Sequence, residues 1–410
     1  MSRRLLISAQ PGETRAAWLD HGELSDLMVL RDDRPWLVDN LYLGRMTARD
    51  QSLAAAFVDI GLDRPGLLPL NEAPKGLSEG DAIAVRVTRA PQAGKGVRLT
   101  GCRLPAELRA AAEKVPPPAL LRAAEDPFDA ALAAEPPPDA IVVDDPACFA
   151  RAKARLAARP ELVARLALDL NPETAFERCG VEAAIEALLE PRVALPSGGH
   201  LLVEPVQTLT AIDVNSGTAG GTAAGPASGP AMALAVNLEA AAEIPRQLRL
   251  RGLSGLIVID FLELREEAAR KRVVEALRGG LNGDPRPSRV QAMRRSGLVE
   301  MTLRRARPAL HELLTEPCGL GRLDGLGRTK DPVTLAYEAL RAARRAALHD
   351  PGRRIALLAG ARTRAALRGP AAAALADFEA RFGRPLDLRA QAAGARFEIV
   401  SVPGAGEKDP

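Results

Sequence analysis

The sequence predicts a multidomain α/β protein that carries a small β-barrel of the OB type in its amino-terminal third. Three observations predict it. Short alternating segments separated by turn residues fill the stretch from Trp36 to Gly101. From Leu201 onward, strand-like apolar runs alternate with amphipathic helical stretches, the pattern of an α/β sheet. The chain has 410 residues, 47% apolar and 26% charged, enough for roughly two to four domains with real cores. The same composition excludes a disordered chain.

The net charge is only +3, yet the 55 basic groups are mostly Arg, the better partner for phosphate and for stacking. Local basic clusters therefore matter more than the total. The 3% aromatic content, with abundant Ala and Arg, reflects a GC-rich coding bias more than function. The start, from Met1 to Ser8, runs into polar sequence without a long apolar core or cleavage site, so no signal peptide is expected, and no stretch reaches the length of a membrane span. Cys102, Cys148, Cys179 and Cys318 are isolated, without CxxC spacing. This argues against a structural zinc built within one chain and against a disulfide framework, and it fits a reducing cytoplasm.

The barrel segments are 41–46, 54–60, 66–70, 82–87 and 96–99. Such barrels often bind single-stranded nucleic acid by stacking bases on an aromatic, and Phe57 is the well-placed candidate, with the barrel core as its alternative role. Next, 104–160 is rich in Ala and Pro: a helix is expected over 119–134, a strand at 140–143 and a helix over 145–158. A short helix after Glu182 leads to a hairpin of 192–195 and 201–203 around the Ser-Gly-Gly turn at 197–199. A Gly- and Ala-rich flexible segment (217–229) precedes a helix over 231–251, which Pro245 should kink. Then come a helix over 263–278, a strand at 289–293 and an Arg-rich helix over 298–307. A Gly-rich joint (318–327) leads to a last unit: helix 332–348, strand 354–358, helix 371–382 and strands near Leu386 and at 397–400, with disorder after Pro403.

Two runs stand apart. Ile-Asp-Val-Asn-Ser at 212–216 and Ile-Val-Ile-Asp-Phe at 257–261 each end an apolar strand on one carboxylate. A carboxylate carried by such a run loses hydration and costs several kcal/mol unless a cation or hydrogen bonds compensate, so two of them point to a metal. With the crossover helix between them, the two strands should run parallel and present Asp213 and Asp260 at one carboxyl edge. The alternative for each Asp is a helix cap or a turn bond.

Runs at 208–217 (Thr-Leu-Thr-Ala-Ile-Asp-Val-Asn-Ser-Gly), 237–241 (Asn-Leu-Glu-Ala-Ala), 246–251 (Arg-Gln-Leu-Arg-Leu-Arg), 255–261 (Gly-Leu-Ile-Val-Ile-Asp-Phe) and 297–302 (Gly-Leu-Val-Glu-Met-Thr) resemble, in this order, the catalytic core of the bacterial ribonuclease E/G family. Runs at 41–45, 52–61 and 95–100 are similar to that family's S1 domain. The resemblance implies an S1/OB barrel at 36–101 inserted in an RNase H-like part at 1–35 and 102–205. It further implies a DNase I-like α/β catalytic domain at 206–314, a linker at 315–329 and a small C-terminal α/β domain at 330–403. The implied activity is Mg²⁺-dependent endonucleolytic cleavage of single-stranded, A/U-rich RNA that leaves a 5′-phosphate, in RNA processing or decay in the cytoplasm. By position, Asp213 and Asp260 would hold the Mg²⁺ and Asn215 would orient one carboxylate. Phe57 would stack a base near the cut and Lys95 would contact the backbone. Arg249, Arg251, Arg294 and Arg295 are candidates for phosphate contacts, with plain solvation as the alternative.

The chain also departs from the family's pattern. Thr100-Gly101-Cys102 passes directly to Leu104-Pro105, and no Arg-Thr pair precedes Asp213, so the segment that reads a 5′-monophosphate is expected to be deleted. The family's zinc link uses Cys-Pro-x-Cys, whereas Thr315-Glu316-Pro317-Cys318 keeps one thiol per protomer, so two chains cannot assemble a four-sulfur site and zinc is not expected. A monomer or a differently built oligomer follows; a Cys318 to Cys318 disulfide is disfavoured in the cytoplasm. Glu263 stands where relatives often have Asp, and Leu67 where many have a second aromatic. The long scaffold tail of some relatives is not seen, so no degradosome role is expected. Two other readings stay open: a noncatalytic RNA-binding relative, and a metal-dependent nuclease acting on DNA.

Overall fold

The computed structural model describes residues 3–91, 96–206, 208–217, 229–318, 327–391 and 396–402. Lys95, most of the Gly- and Ala-rich segment, most of the 318–327 joint and the tail from 403 lie outside the described residues. The chain divides into two compact units, Met1–Asp33 with Pro136–Pro410, and Arg34–Glu135.

The larger unit opens with an antiparallel meander of β1 (Arg3–Gln10), β2 (Glu13–Asp20) and β3 (Glu23–Arg31). These strands show no clean alternation in the sequence because β1 and β2 are buried almost continuously, on both faces.

The smaller unit is the barrel. Its strands are β4 (Leu41–Asp50), β5 (Ala55–Asp59), β6 (Gly66–Pro69), β7 (Ala82–Arg89) and β8 (Arg98–Gly101). β4 pairs with both β5 and β7, β6 bridges β5 and β8, and β7 pairs with β8, which closes the ring. Its interior holds Tyr42, Met46, Val58, Leu68, Val85, Val87 and Leu99. After α1 (Ala106–Ala112), the helix expected over 119–134 is replaced by β9 (Ala119–Arg122) and the short α2 (Pro127–Leu132). The reason is local: β5 leaves the edge of Leu41 to Leu43 open, β9 pairs there, and the Asp126 carboxylate starts α2 by accepting from the Phe128 N–H at 2.9 Å.

Back in the larger unit follow β10 (Ala140–Val143), α3 (Pro146–Arg155), α4 (Pro160–Val163), β11 (Leu166–Leu168), α5 (Ala175–Arg178) and α6 (Val181–Leu189). β10 lies parallel to β1 and β11 parallel to β10, giving one sheet in the order β11-β10-β1-β2-β3. Segments from both sides of the barrel thus build a single sheet.

The second sheet of this unit contains β12 (Arg192–Ala194), β13 (His200–Pro205), β14 (Thr210–Asn215), β15 (Gly255–Asp260), β16 (Ser288–Val290) and β17 (Leu298–Leu303), in the order β12-β13-β14-β15-β17-β16. The helices α7 (Pro230–Leu250) and α8 (Glu267–Leu281) cover one face, where Val203, Ile212, Ile257, Ile259, Val299 and Met301 are buried against Ile244, Leu248, Val273 and Leu277. The residues between them point the other way. The helix expected over 298–307 is therefore corrected to a strand. Val299, Met301 and Leu303 alternate into the core with period two, which antiparallel pairing with β15 rewards, while the arginines from Arg304 belong to the segment beyond it. α7 runs on through the buried Pro245, against whose ring Gly280 of α8 packs closely: a Cβ there would lie 2.8 Å from it.

Beyond α9 (Leu310–Leu314), β18 (Thr315–Pro317) pairs with β19 (Arg328–Lys330). Then α10 (Pro332–His349), β20 (Arg354–Ala359), α11 (Ala361–Arg368), α12 (Ala372–Phe382), β21 (Asp387–Ala390) and β22 (Phe397–Val402) form a last α/β layer, with β20 central. α10 docks on the first sheet through charge. Arg341 bonds Glu13 at 2.8 Å, Arg344 donates to the Asp144 carbonyl at 2.9 Å, and Arg31 donates to Thr334 Oγ1 at 2.8 Å. Beside them the buried Arg15 forks onto Glu182 at 2.9 and 2.7 Å. No described helix is long and apolar enough to cross a membrane.

Candidate active site

β14 and β15 are parallel neighbours, and their register pairs Asp213 with Asp260. Adjacent strands lie about 4.8 Å apart, and residues paired in register point to the same face. Both carboxylates are exposed on the sheet face opposite α7 and α8, while Ile212 and Ile259, one residue back, are buried in the core. Asn215 follows Asp213 on the same face, and its Nδ2 donates to Asp213 Oδ2 at 2.6 Å. The amide therefore fixes one oxygen and leaves the other free for a ligand.

The strand ends are shaped by tight backbone. Gly297, at φ +91, precedes β17, and a Cβ on it would sit 2.1 Å from the Phe261 carbonyl and 3.7 Å from Asp260 Oδ1. Only glycine fits that approach. His200 pairs across the ladder with Asn215. Burial and the Arg192 cation push its imidazole pKa down, against the pull of Asp213.

The pair fits a hard divalent cation of the Mg²⁺ kind. Mg²⁺ takes one or two carboxylates and completes its shell with water and substrate oxygen. Among the described residues no group of three or more His, Cys, Asp or Glu is placed to hold a metal ion. Among the described residues no disulfide joins the four cysteines, and Cys318 follows β18 with its N–H on the Gly327 carbonyl at 2.8 Å.

The other expected residues divide. Arg294 and Arg295 are exposed in the turn leading to Leu298, the ladder partner of Asp260; Arg294 forms an ion pair with Glu300. Arg249 and Arg251 stand elsewhere. α7 crosses back from the carboxyl end of β14 to the amino end of β15, so its last turn is about 30 Å of helix away from its start. There Arg249 Nε donates to the Ser25 carbonyl at 3.0 Å, and Arg251 is buried, with Nε on Gln247 at 2.8 Å and its pKa lowered by burial to about 10. Arg249 therefore packs against β3 and Arg251 within the helix. Phe57 is half-buried on the outer side of the barrel opposite Leu67, whereas its neighbours Ala56 and Val58 fill the interior. It is not a barrel-core residue.

Sequence reasoning missed Asn237 and Glu239. Asn237 is fully buried in α7 and bonds both backbone groups of Leu262, and Glu239 accepts from the Ser197 N–H at 3.0 Å. The available signal was a polar, poor helix-former inside an otherwise apolar helical stripe.

The model of the Ribonuclease E/G family matches residues 102–306. Among curated proteins, the chain is 29% identical to Ribonuclease G of Haemophilus influenzae over 428 residues, covering 82% of this chain and 86% of the relative. It is 26% identical to Ribonuclease G of Escherichia coli K12 over 480 residues, covering 95% and 97%. With Ribonuclease E of Escherichia coli K12 it shares 27% identity over 440 residues, which span 85% of this chain and 41% of that protein.

Proposed function

The chain belongs to the ribonuclease E/G family, and from that premise we propose that it is a Mg²⁺-dependent endoribonuclease. It cuts single-stranded, A/U-rich RNA and leaves 5′-phosphate ends, acting in RNA processing or decay in the cytoplasm. The observation that carries this reading is the register of Asp213 with Asp260, with Asn215 bonded to one of them at 2.6 Å.

In this reading Asp213 and Asp260 hold the Mg²⁺. When bound, the ion supplies charge stabilisation at the scissile phosphate and lowers the pKa of an attacking water. Asn215 keeps the Asp213 carboxylate oriented. Arg294 and Arg295 offer cations to the RNA backbone beside Asp260, Phe57 stacks a base on the barrel's outer face, and Lys95 contacts the backbone. The domain reading follows the same line. The barrel at 36–101 is an S1-type insertion in an RNase H-like part, which the single sheet built from both flanking segments supports. The six-stranded sheet is the DNase I-like catalytic part.

The test is incubation of the purified chain with a single-stranded A/U-rich oligoribonucleotide, with Mg²⁺ or with EDTA, beside Asp213→Asn. Mg²⁺-dependent internal cleavage with new 5′-phosphates is expected, and the variant should be slower by about a hundredfold or more, since several kcal/mol of metal stabilisation are lost. Tight RNA binding without cleavage would establish the noncatalytic reading instead. Equal cleavage of the matching DNA oligonucleotide would replace ribonuclease with nuclease.

A further inference from the structure

Asn237 lies in the interior of α7 with no exposed surface, an unfavourable place for a polar side chain unless every polar atom is matched. Its amide is matched by one residue. Nδ2 donates to the Leu262 carbonyl at 2.8 Å, and Oδ1 accepts from the Leu262 N–H at 3.0 Å. Leu262 comes two residues after Asp260, where the ladder to β17 has run out: Asp260 pairs with Leu298, and the Phe261 N–H reaches the Gly297 carbonyl at 3.3 Å. In the same stretch of α7, Glu239 holds the Ser197 N–H in the turn that leads into His200, the ladder partner of Asn215. One stretch of helix therefore grips both rims of the carboxylate edge.

We propose that Asn237 is a positioning residue for the Asp260 carboxylate: by clamping the strand exit at Leu262 it sets where Asp260 stands relative to Asp213 and so governs affinity for the divalent cation. The proposal rests on the metal-dependent endonuclease reading. An apolar side chain of similar size would fill the space but leave the Leu262 peptide unmatched, and the exit would reseat to satisfy it. Metal pairs tolerate only a few tenths of an ångström of such movement, and loss of an outer support costs about ten- to hundredfold in metal affinity.

The experiment compares Asn237→Ala, Asn237→Asp and Val203→Ala with the wild type, Val203 being a buried residue of the same sheet that faces the helices. Mn²⁺ binding to the free protein is read by electron paramagnetic resonance, thermal stability by melting, and the Mg²⁺ midpoint of RNA cleavage by titration. Both Asn237 variants should weaken Mn²⁺ about tenfold or more and raise the Mg²⁺ midpoint by a like factor, with the rate at saturating Mg²⁺ largely recovered. Val203→Ala should lower the Tm and leave both metal readouts in place. Asn237→Asp keeps the volume and the bond from the Leu262 N–H, so it reports even if the alanine variant fails to fold. Unchanged Mn²⁺ affinity in folded Asn237→Asp, or an equal metal shift in Val203→Ala, overturns the proposal. A wild type that binds Mn²⁺ but cleaves no RNA sinks the endonuclease reading alone, because the Mn²⁺ comparison still decides the role of Asn237.

Discussion

At the residue scale, Asn215 and Asp213 show how a short side chain sets the direction of a carboxylate. The 2.6 Å bond from the Asn215 amide occupies one oxygen of Asp213. Bonds to charged groups contribute roughly 1.5–3 kcal/mol, so Asn215→Ala should slow cleavage about tenfold while leaving the fold intact. Single-turnover rates at saturating Mg²⁺ check this, and an unchanged rate would remove Asn215 from the site. His311 of α9 gives a pH prediction. Burial first, then the cations of Arg328 and Arg305, pull its pKa from 6.5 to about 4 against the opposing charge of Glu312. The folded chain refuses a proton that the unfolded chain takes up below pH 6.5. The stability is therefore fully present above that pH and is lost as pH falls toward 4, by no more than about 1.4 kcal/mol per pH unit. Melting curves from pH 7 to 5 should fall less steeply for His311→Gln than for the wild type, and parallel slopes would refute the assignment.

At the element scale, α7 does two jobs with opposite ends. Its early turns hold the loops around the carboxylates, and its last turn fixes the helix to β3 through Arg246 and Arg249 on the carbonyls of Leu24 and Ser25. Pro245 lies within this span, and Gly280 of α8 leaves room for its ring. Gly280→Val should restore the clash and destabilise the protein by about 1–3 kcal/mol, measured by urea unfolding. A neutral result would mean that α8 can slide away from α7. The strand at Leu298–Leu303 belongs to the same scale. A window of Leu, Val, Met and Arg suits a helix locally, and only the open edge of β15 makes the extended form the better one.

At the scale of the whole molecule, the ionic contacts of α10 with the first sheet are buried, so their partners depend on each other. Arg15 is almost fully covered between Glu13 and Glu182; burial alone would raise the Glu182 pKa, but the cation of Arg15, joined by those of Arg341 and Lys330, outweighs it and holds the carboxyl down to about 2. The relatives aligned over 480 residues exceed the 410 residues here, so some of their segments have no counterpart in this chain. The expected deletion of the 5′-monophosphate reader predicts cleavage indifferent to the 5′ end. Matched oligonucleotides with 5′-monophosphate and 5′-hydroxyl ends should be cut at rates within about twofold, the span of an interaction worth less than ~0.5 kcal/mol. A strong preference for the monophosphate would show that another part of the chain reads it.

The sequence by itself determined the barrel strands, the crossover from β14 to β15 and the identity of the paired acids, because each is written in local periodicity and in residue types with few cheap alternatives. It left β1 and β2 unmarked, since strands covered on both faces carry no alternation. Only the tertiary structure decided that Arg249 and Arg251 point away from the carboxylates, that residues 298–303 extend, and that Asn237 grips Leu262 across 25 residues of chain. Those outcomes depend on which edges and cavities remain once the other elements have packed, and that information is spread over the whole chain.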